Sequence, residues 1–160
     1  MRLKKTAIQL LLALCIFYGC SFAASPAGAG EVAVIDMAGV IDASNPGKAG
    51  QKYLDNLKAG LETELQRFKD KTAKSKDAER QAADKQRELN GEYQAEYDRV
   101  TALIVTRLRV VIREWINSNR KGVMVVVPAH TLLGFSDKAD ISGEILRAFN
   151  SVAIDFSKKK

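Results

Sequence analysis

The chain has only two cysteines, Cys15 and Cys20, and both lie within its first twenty residues. Disulfides therefore add nothing to whatever folds after them. Histidine occurs once, as His130. With no second histidine or thiol to share a metal, it reads as a solvated turn residue, not as a ligand or a base. Aromatic residues make up 7% of the sequence, which excludes a large globular core. A length of 160 residues, 46% hydrophobic and 28% charged, suits one modest domain. Two strings that imitate catalytic motifs fail on context. Ser118-Asn-Arg-Lys121 matches a loose Ser-x-x-Lys pattern but lacks the partner motifs of that chemistry. Gly28-Ala-Gly30 lacks the preceding strand and following helix that a phosphate loop needs. The sequence reads as a non-enzyme, with no catalytic, cofactor-binding or metal-ligating residues.

Periodicity dominates what is present. The large apolar residues Leu54, Leu57, Leu61, Leu65 and Phe68 follow one another at steps of three or four. Leu89, Tyr93, Tyr97, Val100, Ile104, Leu108, Val111 and Trp115 do the same. Such spacing puts each set on one helical face, so it predicts two long amphipathic helices folded back on each other over residues 48–120. Several steps repeat after eleven residues, a period that favours a straight or slightly right-handed seam. No proline interrupts either arm. Between 69 and 88 the only apolar side chains are alanines; that stretch has almost nothing to bury, yet its Lys, Glu, Gln, Arg and Ala are strong helix formers. It should project into solvent as helix. The reversal is expected at 74–77, where Ser75 and Asp77 offer local capping, and Asn90-Gly91 is expected inside the second helix.

The chain opens with Met1-Arg-Leu-Lys-Lys5, an apolar run over 7–19 and small residues up to Gly30. A positive start, a short apolar centre and a small-residue exit make an export signal, and the run is too short to span a bilayer comfortably. The signal is placed at 1–23, with Ser21-Phe22-Ala23 as the cleavage pattern and Ala27-Gly28-Ala29 as a second such pattern. Phe17-Tyr18-Gly19-Cys20 resembles a lipobox, which makes Cys20 a candidate for lipidation. Loss of the signal removes Arg2, Lys4 and Lys5 and no acid, lowering the formal charge from +6 to +3. That mild balance, with Lys and Arg interspersed among Asp and Glu, argues against nucleic acid as a partner.

The remaining elements make a small body from 31–47 and 121–160, so that 24–160 is a single domain. Val-Ala-Val-Ile at 32–35 reads as a buried strand, followed by one helical turn over 38–41. Asn45-Pro46-Gly47 carries turn chemistry. After the arms, Val-Met-Val-Val-Val at 123–127 is expected as a second strand, Pro128-Ala-His130 as a turn, and Thr-Leu-Leu-Gly-Phe at 131–135 as a third strand, a hairpin able to pair with the first. Asp140 is the expected N-cap of a helix over 141–156 whose inner stripe is Ile141, Ile145, Leu146, Phe149, Val152 and Phe156. Lower in the second arm the apolar residues between 103 and 116 cover most of the helix circumference, so burial on nearly all sides is expected. One partner helix cannot supply it, and strands or other subunits must. Ile104, Leu108, Val111 and Trp115 are the candidate core of that assembly.

In this order the pieces resemble the Skp/OmpH family of bacterial periplasmic chaperones. The carrying residues are the exported N-terminus, Val-Ala-Val-Ile-Asp-Met at 32–37, the charged helical hairpin, Val-Val-Val-Pro-Ala-His-Thr-Leu-Leu-Gly-Phe-Ser at 125–136, and Asp140-Ile-Ser-Gly-Glu144. The resemblance covers nearly all of the mature chain, and the order of the motifs makes it specific. It implies an α+β fold: a long antiparallel helical hairpin, or tentacle, projecting from a small three-stranded sheet body with a C-terminal helix, assembled as a homotrimer. It also implies a periplasmic, nucleotide-independent holdase that encloses unfolded outer-membrane proteins between three tentacles. The arms are shorter than those of the best-known relative, which bears on the size of the cavity.

Two basic clusters acquire a reading in that frame. Lys69, Lys71, Lys74, Lys76 and Arg80 would stand at the tip, where mixed charge keeps a helix soluble and an excess of positive charge steers acidic client segments or an anionic membrane surface. Arg99, Arg107, Arg109 and Arg113 are candidates for lining the cavity, their stems covering apolar surface and their heads keeping it polar. The competing reading is a structural coiled-coil protein, lipid-anchored through Cys20, that tethers or spaces envelope components. A tethering coil should be apolar along its whole seam, whereas here the outer part is nearly free of large apolar residues.

Overall fold

A computed structural model describes residues 31–119 and 121–157. The expected export segment, its cleavage patterns and Cys20 lie outside the described residues. The elements are β1 (Glu31–Ile35), α1 (Met37–Ala43), α2 (Asn45–Thr72), α3 (Ala78–Ser118), β2 (Val123–Pro128) and α4 (Ser142–Phe149), with single 3-10 turns at Ala129–Thr131 and Asp137–Ala139. The 28 residues of α2 and the 41 of α3 form the helical hairpin, and at 1.5 Å per residue α3 alone is about 60 Å long.

Local chemistry at the start of the first arm departs from expectation. Asp36 caps α1 by accepting a hydrogen bond from the Gly39 amide at 3.0 Å, extending the expected single turn to seven residues. Asn45-Pro46-Gly47 is the first turn of α2, not a turn ahead of it, because proline at a helix start gives up an amide that has no helical partner anyway. Ser44, fully buried, joins the two helices: its hydroxyl donates to the Ile41 carbonyl at 2.8 Å and accepts from the Gly47 amide at 3.0 Å. The joint is so tight that a Cβ on Gly47 would lie 1.9 Å from the Ile41 carbonyl oxygen.

The hairpin reverses over 73–77, as its residues suggest. The Ser75 amide donates to the Thr72 carbonyl at 2.8 Å and the Ala78 amide to the Ser75 carbonyl at 3.2 Å. Asn90 and Gly91 lie within continuous α3. Burial along the seam is graded: Leu61, Leu65 and Phe68 are half-buried, whereas Leu54, Leu89, Val100, Ile104, Leu108 and Val111 are buried. Tyr97 departs from its stripe and stands 44% exposed; the neighbouring Glu96 takes the inward position instead.

The sheet differs from the one expected. β1 and β2 pair in parallel, with Val32 opposite Val125, Ala33 opposite Val126 and Val34 opposite Val127, because a crossover as long as the hairpin returns the chain in the same direction. On the other side of β1, among the described residues, only Asp140 makes an isolated parallel bridge, to Val34, and the Ile141 amide donates to the Val34 carbonyl at 2.9 Å. The expected third strand over 131–135 is absent. Its start is taken by the 3-10 turn Ala129–Thr131, and Leu132, Leu133 and Phe135 are exposed, since a single chain offers no apolar face for them to pack on.

The C-terminal helix is shorter than its stripe. Asp140 Oδ1 accepts from the Ser142 amide at 2.8 Å, α4 ends at Phe149, and Asn150 is turned towards α2, where its Oδ1 accepts from the Asn45 amide at 2.7 Å. The chain beyond runs irregularly, yet Phe156 reaches the core that Ile141, Ile145 and Phe149 had been expected to share with it. Ile145, Phe149 and Leu108 are fully buried there.

The Gly47 contact generates a test. Alanine normally stabilises a helix by up to about 1 kcal/mol over glycine, and Gly60→Ala, with no neighbour within 4 Å of the added Cβ, should gain that amount. Gly47→Ala should instead lose about 1–3 kcal/mol from overpacking against backbone. Urea unfolding of the two variants reads the opposite signs.

Candidate functional site

Three surfaces carry the residues singled out by the sequence. At the tip, Lys69 and Lys71 occupy the last turn of α2, Lys74 and Lys76 the reversal, and Arg80 the first turn of α3; all are exposed. Residues 67–80 hold six basic side chains against Asp70, Asp77 and Glu79, so the end of the hairpin is a positive point on a polar rod. Below it the arms are joined by the Lys85 ammonium, which binds Glu64 at 2.8 Å and Glu88 at 3.1 Å. The hydrogen bond that Lys85 donates to Glu64 is the main cause of the raised pKa of Lys85.

The lower-arm arginines separate into two kinds. Arg107, Arg109 and Arg113 are exposed on α3 and make no ion pair among the described residues. Arg99 is half-buried and engaged within the chain. Its Nε donates to Glu96 Oε2 at 2.9 Å, and its Nη2 donates to Glu96 Oε1 at 2.6 Å and to the Phe156 carbonyl at 2.5 Å. Glu96, 9% exposed, also accepts from the Tyr53 hydroxyl at 2.6 Å. That bond and the burial of the phenol raise the pKa of Tyr53, while the pairing with Glu96 raises that of Arg99. The Phe156 ring stacks on Tyr53 at 5.9 Å. Neither Tyr53 nor Glu96 belongs to the apolar stripes; the one trace of the cluster in the sequence is the i, i+3 spacing of Glu96 and Arg99.

The third surface is on the body. Ile104, Leu108 and Val111 of the candidate core are buried, and Trp115 is half-buried, with its indole nitrogen donating to Glu144 Oε2 at 3.0 Å. The apolar circumference of α3 is not fully covered, however, because Val110 is 40% exposed. On the sheet, Val32, Met124 and Val125 are exposed, and Leu133 beyond it is completely so. Two open grooves flank the base of the hairpin. One, of about 300 Å³, has Leu54, Val100 and Ile104 in its floor and Tyr97 at its rim. The other, of about 640 Å³, runs between α3 and the C-terminal segment past Leu103, Arg107 and Ile154.

Among the described residues no set of three or more His, Cys, Asp or Glu side chains is arranged to hold a metal, and no helix is long and apolar enough to cross a membrane. No protein-family model, no curated protein and no solved structure matches the chain.

Trp115 reports on one titration. The Lys121 ammonium, 2.5 Å from Glu144 Oε1, and then the Trp115 indole hold the Glu144 carboxyl below its ordinary pKa. A depressed carboxylate pKa stabilises the fold above the ordinary range, and that stability is lost as pH falls through the depressed value. Glu144→Gln should therefore be less stable than wild type at pH 7, with a smaller difference at pH 3. The side chain is 34% exposed, so solvent limits the effect to about 1 kcal/mol or less. Urea titrations followed by fluorescence of Trp115, the one tryptophan, measure it at both pH values.

Proposed function

We propose that this protein is a nucleotide-independent holdase of the periplasm, a homotrimer of the Skp/OmpH kind whose helical hairpins enclose unfolded outer-membrane proteins. The observation that carries the reading is the burial gradient along the hairpin. Its base is locked into a packed body, and its outer half is a polar rod with few large buried side chains, so the arms can yield while the base stays fixed. A polar lining with scattered apolar grooves holds an unfolded chain through many weak contacts and does not trap it. The basic tips add attraction for acidic client segments or an anionic membrane surface, an effect on encounter rate that weakens with salt.

The exposed apolar face of the body supports assembly. A two-stranded sheet alone is marginal, β2 ends it on one side, and Val32, Met124, Val125 and Leu133 lie open around it. Association of three bodies would bury these residues, and the segment 131–135 would then find the apolar partner that it lacks in one chain. Replacing Met124 and Val125 together by Asp puts charge on side chains that are exposed in the single chain, so the fold should survive while the assembly dissociates, because desolvating unpaired charge at an interface costs several kcal/mol, roughly. Light scattering should give a trimer for wild type and a monomer for the double variant; a wild-type monomer at micromolar concentration contradicts assembly.

Function is tested by aggregation of an unfolded β-barrel protein diluted from denaturant without nucleotide. Wild type should suppress it. A variant lacking 69–88, closed by a short turn, should remain a trimer and lose protection of large clients. Equal protection by the truncated variant would remove the arms from the mechanism and favour an envelope tether.

A further inference from the structure

Four groups from three parts of the chain meet at one level of the hairpin. Tyr53 comes from α2, Glu96 and Arg99 from α3, and Phe156 from the segment after α4. The Tyr53–Glu96 bond at 2.6 Å is a direct polar tie between the two arms. Arg99 holds both oxygens of that carboxylate and reaches on to the Phe156 carbonyl. The Phe156 ring, 6% exposed, fits beside Gly50, where an added Cβ would come within 3.4 Å of it and 2.7 Å of Ile104. A small residue in α2 thus lets the C-terminal segment wedge against both arms at once. Above this level α2 and α3 are tied by the Lys85–Glu64 ion pair.

We infer that Arg99 is a positioning residue for the arms: with Tyr53, Glu96 and Phe156 it pins the base of the hairpin and sets the angle at which α2 and α3 leave the body. The lever is long. From Glu96 to the start of α3 are eighteen residues, about 27 Å of helix, so a 10° change at the pin moves the tip by roughly 5 Å. Charge-assisted bonds to a buried carboxylate suit this role, because a two-pronged guanidinium fixes direction as well as distance. Arg99 therefore acts on the space between tentacles through Glu96 and Tyr53, and not as an open cavity wall. The consequence for client size rests on the holdase reading; the angular role does not.

The test is a distance measurement. Nitroxide labels at Asp42→Cys on the body and Ala83→Cys on the outer arm, both exposed positions, are placed on chains that begin at residue 24 and diluted with unlabelled chains, so that pulsed electron resonance reads the separation of arm from body within one chain. Tyr53→Phe removes the cross-arm bond and keeps the stacked ring; Arg99→Gln removes the fork. Both should broaden the distribution and shift its mean by about 3–4 Å, the displacement of a 10° tilt over the 13 residues between Glu96 and the label. Arg99→Lys should restore part of the shift, and Arg107→Gln, on the same helix, should match wild type. If Arg99→Gln fails to fold by circular dichroism, Tyr53→Phe decides alone. A wild-type distribution in a folded Tyr53→Phe or Arg99→Gln protein overturns the proposal. A shifted distribution with unchanged suppression of aggregation of both small and large clients leaves the pin standing and counts against the holdase reading.

Discussion

Burial of Val100, Ile104, Leu108 and Val111 in one apolar cluster with the C-terminal helix and the sheet is the constraint from which the rest of the molecule follows. These four side chains belong to the same helix that forms the second arm, so the core of the body and the root of the tentacle are one packed cluster. An arm that is continuous with its own anchor transmits the geometry of the base along its length without a hinge loop. The terminal elements are recruited to the same cluster. Phe149 and Ile145 pack into it from α4, Ala33 and Ile35 from β1, and Phe156 from the irregular end. Each of the four larger side chains contributes of order 1.5–3 kcal/mol when fully buried, enough that the small sheet is held mainly by what lies beneath it.

The arms were legible because a helical stripe is a local pattern. Steps of three and four at Leu54, Leu57 and Leu61, or at Val100, Ile104 and Leu108, need no knowledge of the partner, and the reversal at 73–77 stands where large apolar residues stop and Ser75 and Asp77 begin. The sheet was less legible because strand pairing is a non-local choice. Val123, Val125 and Val127 announce a strand but not the direction of its neighbour, and Leu132, Leu133 and Phe135 resemble a strand only as long as a face exists to cover them. The end of α4 was misjudged for a related reason: Ile145, Phe149, Val152 and Phe156 keep helical spacing, yet the side chain of Asn150 is drawn to the start of α2 and the chain leaves the helix while Phe156 stays buried.

The candidate site shows the same division. Lys69, Lys71, Lys74, Lys76 and Arg80 are exposed and grouped wherever the reversal falls, so composition alone locates them. Arg99 is equivalent to Arg107, Arg109 and Arg113 in the sequence, and only the tertiary structure separates it, by giving its partner Glu96 the Tyr53 hydroxyl from 43 residues away and Arg99 itself the Phe156 carbonyl from 57. Glu96 is the residue that periodicity conceals: a carboxylate replaces Tyr97 at an inward position because two donors converge there, and a buried charge without them would be prohibitively costly.

The central claim is that rigidity ends partway along the hairpin, where large buried side chains give way to alanine and charge. Amide hydrogen exchange resolved along α2 and α3 tests it most directly. Strong protection is expected from 96 to 115, falling steeply through 61–72 and 78–88 to values close to those of a fraying helix. Uniform protection from base to tip would mean that the outer arms are as firmly held as the core, and the account of a fixed base carrying yielding tentacles would fail.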